Sequence, residues 1–204
     1  KIPVLPPDIN QSRDTFTVVN GSIRFGLGGI KGVGAKAIQA ILAERDENGP
    51  FLGLDDLVRR VRSAHANRRV FESLIKCGAL DSTNVDRASL LAGLDDVMRW
   101  ANNAASNLDQ HNLFGGGANG EPERFNFPAA NNWSQQELLT AEKETLGFFI
   151  TAHPLDRFEK QLAKLVTCKT SDLRNFPGQT KITLDGVVQG LRLKNSKKGD
   201  RYAT

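Results

Sequence analysis

Apolar residues recur at intervals of three and four along most of the chain, a spacing that places them on one face of a helix. In the helix predicted at residues 35–45, Ile38, Ile41 and Leu42 share such a face. Two further helices follow the capping residues Asn67 and Asp86, and another begins with the capping box of Ser134 and Glu137. The predicted helices beyond the first lie at residues 54–61, 68–76, 86–105, 133–146 and 156–165.

The period changes to two near both ends of the chain, which predicts strands. Residues 15–19 and 22–25 flank Asn20-Gly21, a favoured pair for a two-residue hairpin turn. A longer alternation from Thr180 is followed by a basic turn at 197–200 and the start of a returning strand. A long first strand with a basic hairpin is typical of the opening of an OB-fold barrel. The predicted fold class is therefore mainly α with a small β part.

A glycine-rich stretch precedes the first predicted helix and ends in Gly32-Val33-Gly34. Two glycines around one apolar residue predict a tight hairpin, because the backbone turns there without a Cβ penalty. The amides then point outward at the start of a helix, where the helix dipole favours an anion. Lys31 and Lys36 flank the turn and are placed to reach the same anion. This arrangement is that of a helix–hairpin–helix motif, which binds the DNA phosphate backbone without reading bases.

Other glycine-rich sites do not fit the spacing. A P-loop requires a lysine directly after its second glycine, whereas Ala35 follows Gly34 here. A dinucleotide-binding fingerprint that begins at Gly26 or Gly32 lacks its third glycine. The alternative that stays open is a glycine-rich turn between two packed helices.

The order of helix, glycine turn and helix recurs at Gly78. Leu80 stands at the position that corresponds to Gly34, so this second turn lacks one of the two glycines. We expect the second copy to pack as a pseudo-repeat and to hold phosphate less well than the first, if at all.

The distribution of charge points to the same region. The net charge is +4, and residues 23–76 hold ten lysines and arginines against six acidic residues, so the whole excess lies around the first glycine turn. Such a surplus suits a phosphate-binding surface, although a solvated helix face has it as well. The candidate DNA-binding residues are Lys31, Gly32, Val33, Gly34, Lys36, Arg68, Arg69 and Gly78.

Residues 107–132 are rich in Asn, Gly, Ser and Pro, which predicts a flexible linker. Leu113 and Phe114 stand out in it, because two adjacent large apolar side chains are unusual in a polar linker. They suit an apolar pocket of a partner, with Gln110 supplying a hydrogen bond nearby. The alternative is that Leu113 and Phe114 pack back onto the helices.

No spacing of metal ligands and no disulfide framework is evident, because the two cysteines and three histidines are isolated. His153, which precedes a proline, is predicted to be a structural turn residue. There is no apolar run of membrane-spanning length and no signal peptide, so we expect a cytoplasmic protein without membrane contacts. Since the chain begins without Met, we expect it to be part of a longer protein.

Five stretches, in this order, resemble the C-terminal portion of the α subunits of bacterial replicative DNA polymerase III, a C-family DNA polymerase. The resemblance covers nearly the whole chain outside the linker. The matching stretches are LPPDIN at 5–10, IRFGLGGIKGVG at 23–34, LIKCGALD at 74–81, EKETLGF at 142–148 with HPL at 153–155, and KKGDR at 197–201.

The resemblance implies a tandem helix–hairpin–helix domain that grips duplex DNA. It implies that Gln110, Leu113 and Phe114 bind the β sliding clamp and that the OB-fold contacts single-stranded template, with other replisome subunits as further partners. The implied regions are the end of a fingers-like region (1–22), the tandem domain (23–106), a flexible linker with the clamp motif (107–132), a helical connector (133–168) and the start of a truncated OB-fold (169–204).

The catalytic carboxylates of that family lie in an upstream palm domain, which no residue of this chain matches. We therefore nominate no catalytic and no metal-binding residue, and we expect no cofactor in this chain. The resemblance implies that the complete protein is a DNA-directed DNA polymerase whose palm holds Mg²⁺. The chain alone is then expected to be inactive.

Three alternatives remain from the sequence. An error-prone paralogue of the α subunit shares much of this organisation, although the clamp motif favours the replicative form. A helix–hairpin–helix module of a DNA repair protein explains the glycine turn but not the linker motif or the OB-like end. A helical protein-interaction domain leaves the charge distribution unexplained.

Overall fold

The computed structural model of the protein describes residues 2–61, 66–111, 124–178, 180–188, 190–196 and 201–203. The chain divides into two compact units, residues 1–151 (unit 1) and 152–204 (unit 2). This division falls inside the predicted connector at 133–168, and the predicted domain limits stay predictions. The described residues are mainly helical with a small β part, which confirms the predicted fold class.

Unit 1 begins with a small sheet of three strands in the order β1–β3–β2. The predicted hairpin is present, with β2 (Thr17–Val19) antiparallel to β3 (Ser22–Arg24). Its turn residues Asn20 and Gly21 both have positive φ, 48° and 75°, as a type I′ turn requires. A third strand, β1 (Val4–Leu5), adds to β3 in parallel, and the sequence pattern did not predict this pairing.

In the described part of unit 1, six α-helices follow the sheet. Asn67 caps α3 by accepting a hydrogen bond from the amide of Val70, and the predicted capping box of Ser134 and Glu137 starts α6. The helices are α1 (Ala35–Asn48), α2 (Leu54–Arg60), α3 (Arg68–Lys76), α4 (Arg87–Ala92), α5 (Leu94–His111) and α6 (Gln135–Leu146).

One continuous core holds these helices together. The large side chains of Phe25 and Phe71 lie at its centre with Leu74, each at most 2% exposed. The amide of Ile9 donates to the carbonyl of Ala79 over 2.8 Å, which ties the segment before β2 to the turn after α3. The core therefore fixes both glycine turns to one body.

The long helix predicted at 86–105 is wrong in its extent, because Gly93 divides it into α4 and α5. A Cβ at Gly93 would lie 2.9 Å from both Phe127 and Pro128, so the glycine admits the segment that returns toward α5. The structure also shows order at both ends of the stretch 107–132, whose limits as a linker stay a prediction. Residues 107–111 belong to α5, and Phe125 packs on Trp100 with ring centroids 5.9 Å apart.

Unit 2 has little regular structure in its described part. The helix predicted at 156–165 is a 3₁₀ turn, Asp156–Phe158, followed by the short α7 (Glu159–Leu162). The returning strand is confirmed, since β4 (Leu193–Asn195) pairs antiparallel with β5 (Arg201–Ala203), whereas the predicted basic turn at 197–200 lies outside the described residues. The long strand from Thr180 is not formed among the described residues before β4, so the OB-fold stays a prediction.

No helix within the described ranges is long and apolar enough to cross a membrane.

Candidate nucleic-acid interface

The first glycine turn, residues 30–34, connects a 3₁₀ turn at Leu27–Gly29 to α1. Ile30 and Val33 are buried, 2% and 7% exposed, as the sequence predicted. The amide of Val33 donates to the carbonyl of Ile30, so Val33 offers neither side chain nor amide to a ligand and is removed from the candidate set. Lys31, Gly32, Gly34 and Lys36 are exposed.

The amides of this turn are available to a ligand. Those of Gly32, Gly34 and Ala35 have no acceptor among the described residues. No side chain caps the start of α1, and its first turn contains no acidic residue. Lys36 lies in that first turn, where the helix dipole disfavours a cation unless an anion is bound there. An anion at this position would satisfy the amides and the lysine together.

The physical reason for having a glycine differs between positions 32 and 34 of the turn. Gly32 has φ of +91°, and a Cβ there would lie 2.5 Å from the hydroxyl oxygen of Ser73 in α3. Gly34 has an ordinary φ of −80°, and open space surrounds it. Neither backbone conformation nor packing requires a glycine at 34. A glycine suits this position if another molecule approaches the backbone closely.

Arg68 and Arg69 begin α3, beside the first turn, and both are exposed. Arg68 is held by two carboxylates, Asp95 at 2.8 Å and Glu72 at 2.6 Å. Its hydrogen bond with Asp95 raises the pKa of the guanidinium. Arg69 has no carboxylate partner in the described part of the chain, and its Nε lies 3.7 Å from the position of a Cβ on Gly32. Arg69 is thus the freer of the two cations.

The second glycine turn is closed. Gly78 has φ of +80° and is buried, because the guanidinium of Arg87 lies directly over its Cα. Arg87 donates to both carboxylate oxygens of Asp81, over 2.8 and 2.6 Å, and to the carbonyl of Lys76. The space that a phosphate would need at Gly78 is therefore filled by a side chain of the protein, so this geometry disfavours the DNA contact of Gly78, which stays a prediction.

The helix after the second turn also differs from α1. Asp86 caps α4 by accepting a hydrogen bond of 2.8 Å from the amide of Ser89. This hydrogen bond lowers the pKa of the Asp86 carboxyl, which keeps it negatively charged. A carboxylate at the start of the helix occupies the place of an external anion and would repel one.

Sequence reasoning missed Arg87 and its second partner, Glu142. The Glu142 carboxylate is 1% exposed, lies 3.6 Å from Arg87 and accepts hydrogen bonds from the amides of Ile150 and Thr151. Glu142 begins the EKETLGF stretch, but it lies far from Arg87 along the chain, so no local pattern predicts this ion pair. Arg60 of α2 is also held by the protein, because it donates to the carboxylate of Glu44 and to three backbone carbonyls.

The predicted clamp motif falls largely outside the described residues. The backbone of Gln110 belongs to the last turn of α5, and Leu113 and Phe114 lie outside the described ranges. Downstream, Arg124 donates to the buried carboxylate of Asp55 over 2.6 Å. Within the described residues no group of three or more His, Cys, Asp or Glu could hold a metal ion.

Comparisons with known proteins find the relatives that the motifs indicate, namely helix–hairpin–helix motifs and DNA polymerase III α subunits. A family model described as "Helix-hairpin-helix motif" matches residues 1–90. The chain is 38% identical over 206 residues to "DNA polymerase III subunit alpha" of Thermus aquaticus, covering 99% of this chain and 16% of the relative. Proteins of the same name from Treponema pallidum and Vibrio cholerae are 34% and 37% identical, and each comparison covers 97% of the chain and 17% of the relative. The chain thus spans about a sixth of the length of these relatives.

Proposed function

Because the chain is a homologue of a segment of the DNA polymerase III α subunit, we propose that it holds duplex DNA by its phosphate backbone during DNA-templated chain elongation. The observation that carries this proposal is the first glycine turn. The amides of Gly32, Gly34 and Ala35, which have no acceptor within the described ranges, lie at an uncapped helix start beside Lys36.

The contact we propose is independent of base sequence. Backbone amides and lysine side chains meet phosphate oxygens, and such contacts position a protein on DNA without reading its sequence. The open space around Gly34 lets a phosphate come close to the amides, and the long side chain of Lys36 adds a charge-assisted contact.

The complete protein, on this proposal, is a DNA-directed DNA polymerase, and the chain supplies DNA binding but not chemistry. The active site with its Mg²⁺ belongs to another part of that protein. With a primed template, Mg²⁺ and deoxynucleotides, the chain alone should give no primer extension. Extension above that of a heat-denatured sample would contradict this division of roles.

We propose that residues 110–114 contact the β sliding clamp, as the Gln110, Leu113, Phe114 pattern suggests. Replacing Leu113 and Phe114 by Ala should abolish binding of the chain to a bacterial sliding clamp and leave its affinity for duplex DNA unchanged. An unchanged clamp affinity would return this stretch to a linker. We also propose single-stranded template and other replisome subunits as partners, because the resemblance to DNA polymerase III α subunits implies them.

The first test of DNA binding is its salt dependence. The logarithm of the affinity for duplexes of unrelated sequence should fall linearly with the logarithm of salt concentration, with a slope of about −0.9 per phosphate contacted. An affinity that does not change with salt would refute backbone binding, and one that changes strongly with sequence would refute recognition without base contacts.

The second test is a variant of the turn itself. Gly34→Val should weaken duplex binding and leave the thermal midpoint almost unchanged, since the position is open and its φ suits any residue. Gly178→Val is the matched control, because Gly178 is also exposed and a Cβ there would have no atom within 4 Å. Equal affinity for the two variants would show that the turn does not touch DNA.

A helix–hairpin–helix module of a repair protein is the main competing function. The comparison with α subunits runs over 97–99% of the chain, whereas the helix–hairpin–helix model matches only residues 1–90. The longer match favours the polymerase.

A further inference from the structure

A groove of about 690 Å³ lies beside the first glycine turn, between α3 and the C-terminal end of α6. We call it the α3–α6 groove. It contains no aromatic side chain on which a base would stack. Its charged lining residues are Lys31, Arg68, Arg69, Glu72, Lys76 and Glu144.

Basic side chains outnumber acidic ones in the α3–α6 groove, by four to two. Lys31 and Arg69 have no carboxylate partner within the described ranges. The two acidic side chains of this groove, Glu72 and Glu144, pair with Arg68 and Lys76 instead. The groove thus presents two free cations and retains a positive balance, which favours an anion.

The groove is continuous with the first turn. Gly32 belongs to both, and it precedes Gly34 by two residues, so their Cα atoms are within about 8 Å of each other. The backbone amide of Lys31 donates to the carbonyl of Thr145 over 2.8 Å, which fixes the turn to α6. The Lys31 ammonium lies near Gly147, 3.7 Å from the position of a Cβ there. An anion bound at the turn therefore has a second cationic position next to it.

Two carboxylates hold Lys76 at the edge of the groove. Its ammonium lies 2.9 Å from Glu72 and 3.4 Å from Glu144, whose side chain is 64% exposed. The hydrogen bond with Glu72 raises the pKa of Lys76, which keeps it charged. Glu144 belongs to α6, outside the region that the helix–hairpin–helix model matches. An exposed ion pair of this kind is weak and is open to exchange for another anion.

We propose that the α3–α6 groove binds a second backbone phosphate of the same duplex, next to the one at the first turn. Arg69 and Lys31 contact this phosphate, and Glu144 competes with it for Lys76. Glu144 therefore weakens DNA binding. This inference rests on the proposed function, since it extends the phosphate path from the first turn.

Arg69 and its neighbour Arg68 provide a matched pair for the test. Arg69→Gln and Arg68→Gln each remove one positive charge from adjacent exposed positions, so their long-range effect on DNA is the same. Only Arg69 contacts the phosphate in the proposal. Arg69→Gln in the full chain should make the salt slope shallower by about 1, and Arg68→Gln should change it less. Equal slopes for the two variants would overturn the role of Arg69.

Glu144→Gln tests the competing carboxylate with an effect of the opposite sign. The variant should bind duplex DNA about two- to fivefold more tightly, which corresponds to the strength of an exposed ion pair. Glu137→Gln is a less suitable control because Glu137 caps α6, so Glu159→Gln in unit 2 is the control for a lost negative charge. Glu144→Gln binding no more tightly than Glu159→Gln would overturn the competition.

The two proposals fail in different ways. If wild-type duplex binding is insensitive to salt, or Gly34→Val binds like Gly178→Val, the proposed function itself is refuted. If Gly34→Val weakens binding while Arg69→Gln matches Arg68→Gln and Glu144→Gln matches Glu159→Gln, the turn binds DNA and the groove does not. Thermal melting of every variant identifies changes that come from unfolding.

Discussion

Gly32 and Gly78 each open a turn with positive φ, 91° and 80°, and each turn leads into a helix. At the first turn the amides of Gly32 and Gly34 have no acceptor in the part of the chain that the structure describes, and the nearby cations face solvent. At the second turn the amide of Gly78 donates to the carbonyl of Ile75, and the nearby cation, Arg87, is paired with carboxylates of the protein. Two turns with the same backbone conformation at glycine thus differ in access, because the first is open to an external anion and the second is covered by a side chain of the protein.

The comparison shows that a glycine turn is not sufficient for a phosphate site. The helix dipole and the glycine are present in both copies, and the neighbouring side chains decide whether they face a ligand. At the second turn, Asp86 caps the following helix and Arg87 covers Gly78, so the turn is buried by side chains of the protein itself. Gly34 and Lys36 leave the first turn unsatisfied, and this suits it for binding.

The largest effect is expected from removing the side chain that closes the second turn. Arg87→Met leaves the buried carboxylate of Glu142 without its cation and should lower the free energy of unfolding by about 3–5 kcal/mol, the range for a broken buried pair. Urea unfolding followed by circular dichroism measures this loss. A loss below about 1 kcal/mol would mean that Arg87 only covers the turn and does not hold it together.

Gly78→Ala is expected to have the next largest effect. A Cβ is strained at φ of +80° and would displace Arg87, so the free energy of unfolding should fall by about 1–3 kcal/mol. The DNA affinity of the folded protein should stay as it is, because only the first turn contacts DNA in our proposal. If Gly78→Ala weakened duplex binding below its melting temperature as much as Gly34→Val does, the contrast between the turns would be lost.

Gly34→Asp gives the first turn the acidic cap of the second, and its effect on stability is smaller. A carboxylate at the start of α1 should raise the free energy of unfolding by about 0.3–1 kcal/mol. It should also reduce duplex affinity at least about fivefold, since two like charges at close range repel by about 1 kcal/mol even in water. Parallel melting and binding curves would show opposite changes. A variant with both stability and affinity raised would contradict the anion site.

The smallest perturbation uses the cysteine of the second turn as a reporter. Cys77 is 1% exposed, and burial raises the pKa of its thiol to about 12. A thiol reagent at pH 8 should therefore modify Cys168 of unit 2 in the native protein and reach Cys77 only on unfolding. Cys168→Ser should abolish the fast reaction. Two thiols reacting at one rate would show that the second turn opens readily.

Local signals in the sequence predicted local structure well. The bounds of α3 follow from Asn67, the start of α6 from Ser134 with Glu137, and the first hairpin from Asn20-Gly21. These features depend on side chains that bond to backbone within a few residues. The fold class and the similarity to DNA polymerase III α subunits likewise followed from patterns and motifs along the chain.

The errors concern contacts between distant residues. Gly93 breaks a helix because Phe127 packs on it, and the end of the stretch 107–132 is ordered where Arg124 binds Asp55. No local pattern around Gly78 indicates that the guanidinium of Arg87 lies over it. The roles of Lys31, Gly32, Gly34, Lys36, Arg68 and Arg69 in DNA binding stay predictions that the variants above test.

The buried carboxylate of Glu142 has a further consequence for how the chain leaves unit 1. It holds the amides of Ile150 and Thr151, the last residues of that unit, while Arg87 fixes it from the other side. The exit point of the chain is therefore part of the same rigid body as the turns.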